Sequence, residues 1–597
     1  MSSSVSPHHG ALPSDGTTTF RVWAPDADQL ALVMGDDTRP MEAVGEGYFE
    51  LEVDDAGPGT RYRISLDGDG PFPDPASRFQ PAGVHGPSEV VDPSDYTWAD
   101  DDWSGVPREA LVFYELHVGT FTSKGTFDAV RERLDYLKSL GVTAIELMPV
   151  HDFPGERNWG YDPAAWFAPA RPYGRPDELR QLVDAAHQAG LAVFLDVIYN
   201  HLGPDGAYAN AFAPFLTDKY ETPWGPAINL DDDGSEGVRR FFIDNALHWL
   251  KEYHIDGLRL DATHALHDSS EAHFLAELSE AVEEHVDGPK RHLIAEDHRN
   301  LNRLVRPRED GGYGLDGVWS DDLHHQCRVL TAGDREGYYQ DYQDVTAADI
   351  ATSLRDGWFF RGEYSEYLDE PRGTDPTSVA RAQCAVFIQN HDQVGNRPTG
   401  NRLTDDVSLP VYRALSVLLC VAEELPLLFM GQEWAASTPF QFFTDHSEEL
   451  GPSVTEGRKE EFEDFSGFEG EVPDPQDSAT FERSVLDWEE ARRPPHDEIL
   501  ALYRDLLALR TDIIKAQADT DRGLAARAPT DTTLHVDRPP YRALINLEGA
   551  AEMAIPAEAP VLLHTEQGGY TSAPRPLAFT EETVSFSRPG AAVVRVG

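Results

Sequence analysis

The residues equipped for chemistry gather in four short stretches. The first is Asp256-Gly257-Leu258-Arg259-Leu260-Asp261-Ala262-Thr263-His264, in which Ile255 to Leu260 reads as a short strand ending at a carboxylate. Arg259 and Asp261 are two apart, so on a strand both point to the same side. A guanidinium within a few ångströms keeps a carboxylate ionised, which is what a carboxylate nucleophile needs. An Arg-x-Asp pair on a strand is more often a structural salt bridge, so its weight comes from what other strands bring. They bring Asp196-Val197-Ile198-Tyr199-Asn200-His201, Ile294-Ala295-Glu296 and Asn390-His391-Asp392. Two carboxyl groups of opposite protonation are the apparatus of glycoside cleavage: an ionised oxygen attacks the anomeric carbon while a protonated partner gives its proton to the leaving oxygen. Asp261 suits the first role and Glu296 the second.

Four stretches so far apart in the chain need a scaffold that brings them together. From about residue 110, short apolar runs alternate with helix-period segments. The runs Val112–Val118, Ala144–Pro149, Ala192–Ile198, Ile255–Asp261, His292–Glu296, Gly317–Ser320, Ala385–Asn390 and Pro426–Met430 predict eight strands. Thr126–Leu140, Pro176–Ala189, Val238–Tyr253, Ser270–His285 and Leu409–Ala422 predict helices between them. Alternating elements with near-continuous apolar strands imply an α/β fold with a parallel sheet, and eight repeats imply a closed (β/α)8 TIM barrel. The carboxyl ends of barrel strands face the active site. Here those ends carry Asp196, Asn200 and His201 on the third strand, Arg259 and Asp261 on the fourth, Glu296 on the fifth, and His391 with Asp392 on the seventh. Three carboxylates thus converge on one mouth, beside two histidines and an arginine. Long connections at about 150–190 and 321–383 would build the binding face.

The barrel, with its inserted loops, is expected over 101–518, closed by a helix at about 496–510. Residues 1–100 alternate apolar with polar, as in Thr19-Phe20-Arg21-Val22-Trp23, and predict an N-terminal immunoglobulin-like β-sandwich joined by an acidic linker, Asp92 to Trp103. Residues 519–597 return to short β patterns such as Tyr541-Arg542-Ala543-Leu544-Ile545, a small C-terminal β domain.

Composition excludes some partners. Acids outnumber bases 105 to 49, a net charge of −56, and only seven of the bases are Lys. Such a chain repels nucleic acid and anionic membranes, which are bound through Lys and Arg. A Lys-poor acidic surface also suits a salt-rich cytoplasm, where screening weakens self-repulsion; best activity and stability in dilute buffer would count against that. Cys327, Cys384 and Cys420 have no metal-type spacing, and an odd number argues against a disulfide framework. Met1 to Gly10 has neither the basic start nor the apolar run of a signal peptide, and Glu423-Glu424 interrupt the apolar stretch Ala414–Met430. The cytoplasm is the expected compartment, with no membrane partner.

In their order, the four stretches resemble the four motifs of the α-amylase family of glycoside hydrolases, which fall on strands three, four, five and seven. The resemblance implies a retaining mechanism at an α-glucosidic bond, with Asp261 as nucleophile, Glu296 as acid/base and Asp392 binding sugar hydroxyls. It implies that His201, Arg259 and His391 contact the cleaved sugar, and that Tyr161, in Trp159-Gly160-Tyr161-Asp162, stacks on it. Phe113 to Phe121, Trp319-Ser320-Asp321-Asp322-Leu323-His324-His325, Phe429 to Trp434, Pro439 to His446 and Phe20 to Pro25 narrow the likeness. Over essentially the full length these are similar to family members that hydrolyse the α-1,4 bond beside the terminal trehalose of malto-oligosyltrehalose. That likeness implies no cofactor, and a functional pairing with the enzyme that forms malto-oligosyltrehalose. Asp322, Asp445 and His446 are candidates for the trehalose side; a packed barrel-top loop is an equal reading of the 439–446 segment.

Two places depart from the family pattern: Asp297-His298 stand where Ser-Asp is usual, and Gln432 replaces a usual Glu. Asp297 would raise the pKa of Glu296 if close, although neighbours along a strand face opposite sides. In some amylases the Asn of the third-strand motif helps to hold calcium, but the group resembled here is not known for needing it and Asn200 also has a simple loop-capping role, so no metal is expected. The rivals are a branching or debranching enzyme on the same scaffold, and a catalytically silent glucan-binding barrel, against which the intact trio argues.

Overall fold

Eight short parallel strands close on themselves in the computed structural model of this chain, which describes residues 9–14, 16–463, 472–517 and 523–596. Among the described residues the barrel strands are β1 (Phe113–Leu116), β2 (Ala144–Leu147), β3 (Ala192–Val197), β4 (Gly257–Leu260), β5 (His292–Glu296), β6 (Gly317–Trp319), β7 (Cys384–Val386) and β8 (Leu425–Phe429), and β8 pairs back onto β1. Nearly every residue of these strands is buried, because helices cover the outer face while side chains fill the inner one. That is why they read as continuous apolar runs.

The barrel interior is layered. At the amino end Phe113, Ala144, Phe194 and Ile294 join an apolar floor with Trp319 and Leu427. Gly257 belongs to this layer, and a Cβ there would meet the Phe194 ring at 2.3 Å. Two residues further along the same strands, the inward positions become Glu115, Glu146, Asp196, Arg259 and Glu296, with Glu115 opposite Glu146 and Asp196 opposite Arg259 in register. An apolar floor therefore carries an ionic ceiling, set by the period of two along each strand.

Outside the barrel lie helices Pro176–Ala189, Ser235–Glu252, Leu409–Val421 and His496–Gln517. The helix expected over Thr126–Leu140 is two, Phe127–Arg131 and Leu134–Leu140, separated at Arg133, whose guanidinium lies over the Trp488 ring. Helix Phe274–His285 starts later than the spacing predicts, after a loop closed by Asp268 accepting from Phe274 N at 2.6 Å.

Before the barrel, two antiparallel sheets enclose Phe20, Val22, Leu32, Phe49, Tyr62 and Ile64. After it, Ala525–Thr530 opens a further pair of sheets around Leu544, Met553, Val584 and Phe586. The expected boundary at 518/519 and the first eight residues lie outside the described residues. The acidic stretch before the barrel is no loose linker. Trp98 stacks on His254 at 3.8 Å and Trp103 on His187 at 4.6 Å, because two tryptophans give an otherwise acidic segment enough apolar surface to dock. Among the described residues no helix is long and apolar enough to cross a membrane.

Candidate active site

At the carboxyl ends of the strands lies a cavity of about 510 Å³ into which Asp261, Glu296 and Asp392 all open, together with Tyr161, His201, Arg259 and His391. Asp261 is the first residue beyond β4, and its amide still donates to Val197 O at 3.1 Å. Its Oδ1 accepts from Arg259 Nη1 at 2.5 Å and its Oδ2 from Asn200 Nδ2 at 2.8 Å. Asn200 thus serves the carboxylate rather than capping its own loop. The next residue, Ala262, has φ +42°, a left-handed conformation costing about 1–2 kcal/mol without glycine. In that conformation its amide donates to Glu296 Oε2 at 2.6 Å. Arg259 Nη2 stands 3.8 Å from the same oxygen, so one guanidinium serves both acids. Arg259 is fixed in turn by Asp196 at 2.8 Å and by the face of Trp319, 4.4 Å away.

The two acids are driven to opposite protonation states. Burial pushes Asp261 up, but the charges of Arg259 and His201 and the hydrogen bonds from Asn200 and Arg259 outweigh it and hold it below the usual range. Burial also lifts Glu296, well above the usual range; Arg259 opposes this, while Asp261, Asp321 and Asp392 add to it. Beneath them burial lifts Asp196 to about 7 and holds Glu146 well up.

His391 hangs from the start of the short helix His391–Gly395, where the Asn390 side chain accepts from Gln393 N at 2.7 Å. Its Nδ1 lies against Glu115, which also accepts the His391 amide at 2.9 Å. Its Nε2 meets the Tyr161 hydroxyl at 2.8 Å, and that hydroxyl donates to Asp196 at 2.7 Å. Burial lowers its pKa, but the neighbouring Glu115 charge prevails and raises it. Tyr161 stacks on His391 at 5.2 Å. Gly160 permits this turn: its φ is +104°, and a Cβ would sit 2.5 Å from Pro149 O. His201 is held by Tyr161 O at 2.8 Å, and burial lowers its pKa. Asp392 accepts from Asn396 Nδ2 at 2.5 Å, and burial raises its pKa against the pull of His391 and Arg259.

Three predicted site residues are not brought to the cavity. Asp322 is turned inward and 1% exposed, accepting from Tyr342 OH at 2.5 Å, Asn300 Nδ2 at 2.8 Å and Phe359 N at 2.6 Å. Asp445 accepts from Arg157 at 2.7 Å and Glu156 N at 2.8 Å, tying two loops together. His446 pairs with Asp162 at 3.3 Å. The three donors on Asp322 leave it little for a ligand, whereas Asp445 takes two donors and Nδ1 of His446 is buried with no hydrogen-bond partner among the described residues. Asp297 likewise faces away from Glu296, gripped by Arg299 at 2.6 Å and Thr263 at 2.9 Å. Gln432 is fully buried and donates to Tyr503 OH at 3.0 Å.

Residues 93–217 and 230–494 match the model of the α-amylase catalytic domain. The chain is 49% identical to the malto-oligosyltrehalose trehalohydrolase of Deinococcus radiodurans, covering 84% of this chain and 82% of that one. It is 42% identical to that of Arthrobacter ramosus, over 97% and 99%. The crystal structure of a putative α-amylase from Salmonella typhimurium superposes with a TM-score of 0.90 at 36% identity, covering 99% of this chain and all (100%) of that one. The chain belongs to the α-amylase family, in the branch of the malto-oligosyltrehalose trehalohydrolases.

For this family member, sequence reasoning missed several residues of the cavity wall. Trp224 projects from the turn of the hairpin Leu216–Thr222/Gly225–Ile228, remains 47% exposed, and stacks on His201 at 4.8 Å. A tryptophan in a polar turn was the available signal. Asp321, neighbour of the predicted Asp322, follows β6 between the strands of Glu296 and Asp392 but is not among the residues that line the cavity. Among the described residues its carboxyl has no hydrogen bond, and burial lifts it to about 7, with Arg372 opposing and Asp392 adding. Asn396, Phe442 and Arg458 also line the cavity, and nothing in their local sequence marks them.

Proposed function

We propose that this chain is a retaining glycoside hydrolase that cleaves the α-1,4-glucosidic bond beside the terminal trehalose of malto-oligosyltrehalose and releases trehalose. The chemistry rests on one observation: a single guanidinium adjoins two carboxyls whose surroundings drive one down and the other up in pKa. Asp261, ionised, attacks the anomeric carbon from one side of the ring. Glu296 gives its proton to the oxygen leaving with the trehalose unit. Water then enters; Glu296, now ionised, takes its proton, and the oxygen displaces Asp261 with net retention. The shared guanidinium suits the short carboxyl separation, about 5–5.5 Å, of retaining enzymes. Asp392 receives hydroxyls of the sugar being cleaved, Tyr161 packs against its ring, and His201, Arg259 and His391 frame it.

The trehalose-bearing substrate rests on the likeness to trehalohydrolases along nearly the whole chain. Such a substrate must be supplied by an enzyme that turns the reducing end of a maltodextrin into a trehalose unit. Incubation with malto-oligosyltrehalose is expected to yield free trehalose and a shortened maltodextrin, faster than maltopentaose is hydrolysed. Preferential consumption of branched glucan, or no trehalose, would overturn the assignment.

A further inference from the structure

The helix Gly451–Glu463 lies outside the strand–helix repeat and walls the cavity with Val454, Gly457, Arg458 and Glu461. Arg458 is only 8% exposed. A buried guanidinium must be paired, and its partners are specific. Nη1 meets Glu461 at 2.8 Å on its own helix, and the guanidinium lies 5.0 Å from the centre of the Phe442 ring and 4.6 Å from that of Phe462. The rest of the fork crosses to the chain beyond β7. Nη2 donates to Gly395 O at 2.6 Å, and Nη1 stands 3.4 Å from Asn396 Oδ1.

Gly395 ends the short helix that carries Asp392, so Arg458 binds a carbonyl that the helix itself leaves without a partner. Asn396 has one acceptor end and one donor end. Arg458 donates and never accepts, so only the oxygen of that amide can face it. The amide NH2 is thereby left pointing at Asp392, to which it donates at 2.5 Å.

We propose that Arg458 is a positioning residue for hydrolysis: through Gly395 O and the oriented amide of Asn396 it holds Asp392 where the sugar hydroxyls arrive. The inference rests on the reading of Asp392 given under Proposed function. It makes the 451–463 helix part of the hydrolytic machinery as well as a wall.

The test is a set of kinetic constants and melting temperatures for Arg458→Ala, Arg458→Lys, Asn396→Ala and the double alanine variant, with the exposed Lys459→Ala as control on the same helix. Arg458→Ala is expected to lower kcat about ten- to a hundredfold with KM little moved, the scale of a displaced catalytic group. Lysine keeps a cation for Gly395 O but loses the fork, and should restore part of the rate. The double variant should be no slower than the slower single one, because both act through one contact. Additive losses in the double variant, or an unchanged kcat in folded Arg458→Ala, would overturn the proposal. If Arg458→Ala does not fold, Asn396→Ala and Asn396→Asp decide: both should lower kcat at unchanged melting temperature, and full activity in either sinks the relay. Rates are taken as ratios to wild type on whichever of malto-oligosyltrehalose or maltopentaose it hydrolyses. Wild-type protein that releases no trehalose would therefore refute the substrate reading and leave the Arg458 test intact.

Discussion

Strand β4 is flanked by two buried aspartates with opposite fates. Asp256, before its amino end, is 2% exposed and accepts four hydrogen bonds: from Trp103 Nε1, His187 Nε2 and Val193 N at 2.8 Å each, and Arg291 Nη1 at 3.0 Å. Asp261, past its carboxyl end, is 9% exposed, takes side-chain donors among the described residues from Arg259 and Asn200 alone, and opens into the cavity. Both carboxylates are desolvated and both adjoin arginine. The difference is saturation. A carboxylate whose lone pairs are all engaged locks elements together; one left partly unengaged beside a cavity keeps an oxygen for a substrate. The same count separates Asp322, which takes three donors, from its neighbour Asp321, whose carboxyl takes none among the described residues.

The contrast can be broken at either end of the strand. The largest effect is expected from Asp261→Asn, which should cut hydrolysis about 10⁴-fold, the scale set by removing one member of a catalytic group, while thermal unfolding shows an intact fold. A lost fold, or a retained rate, would place Asp261 in Asp256's class. Asp256→Ala should do the converse. It leaves Arg291 and His187 facing a void and is expected to cost about 3–5 kcal/mol of stability, visible as a lower denaturation midpoint, with kcat of the folded fraction unchanged.

Asp321→Asn sharpens the comparison through pH. Glu296 must carry its proton at the start of the reaction, so activity falls as pH rises through its elevated pKa. The negative charge of Asp321 helps to raise that pKa. Removing it lets the proton leave at lower pH, and the alkaline limb of kcat/KM should move to lower pH; a limb that stays in place or moves up excludes the coupling. The smallest effect is expected at the exposed rim, where Trp224→Ala should remove about 1 kcal/mol of ring contact, read as a rise of several-fold in KM with kcat nearly constant. A kcat that falls with it would mean that Trp224 acts by holding His201.

Much of the barrel was legible because parallel strands buried on both faces must be apolar throughout, and eight such runs alternating with helical periods admit few other closures. The meeting of Asp261, Glu296 and Asp392 at one cavity was legible for a related reason: strand ends fix where a side chain emerges, so the three needed only their strands to be placed. Loops carry no such period. Asp445 and His446 look available in sequence, yet Arg157, Glu156 and Asp162 engage them. Arg458 carries no sequence signal of its own until Gly395 and Asn396 are set beside it. The acidic stretch Asp92 to Trp103 reads as a linker until the histidines it stacks on are in place.

The sequence by itself determined the alternation, the layering of apolar floor and ionic ceiling along each strand, and the identity of the acids at the mouth, because those depend on residue type and a fixed local period. Only the tertiary structure decided which carboxyl groups are saturated, which way Asn396 faces, and how strongly Glu296 holds its proton. Those depend on partners tens to hundreds of residues away and on the loss of water around them, and no local pattern encodes either.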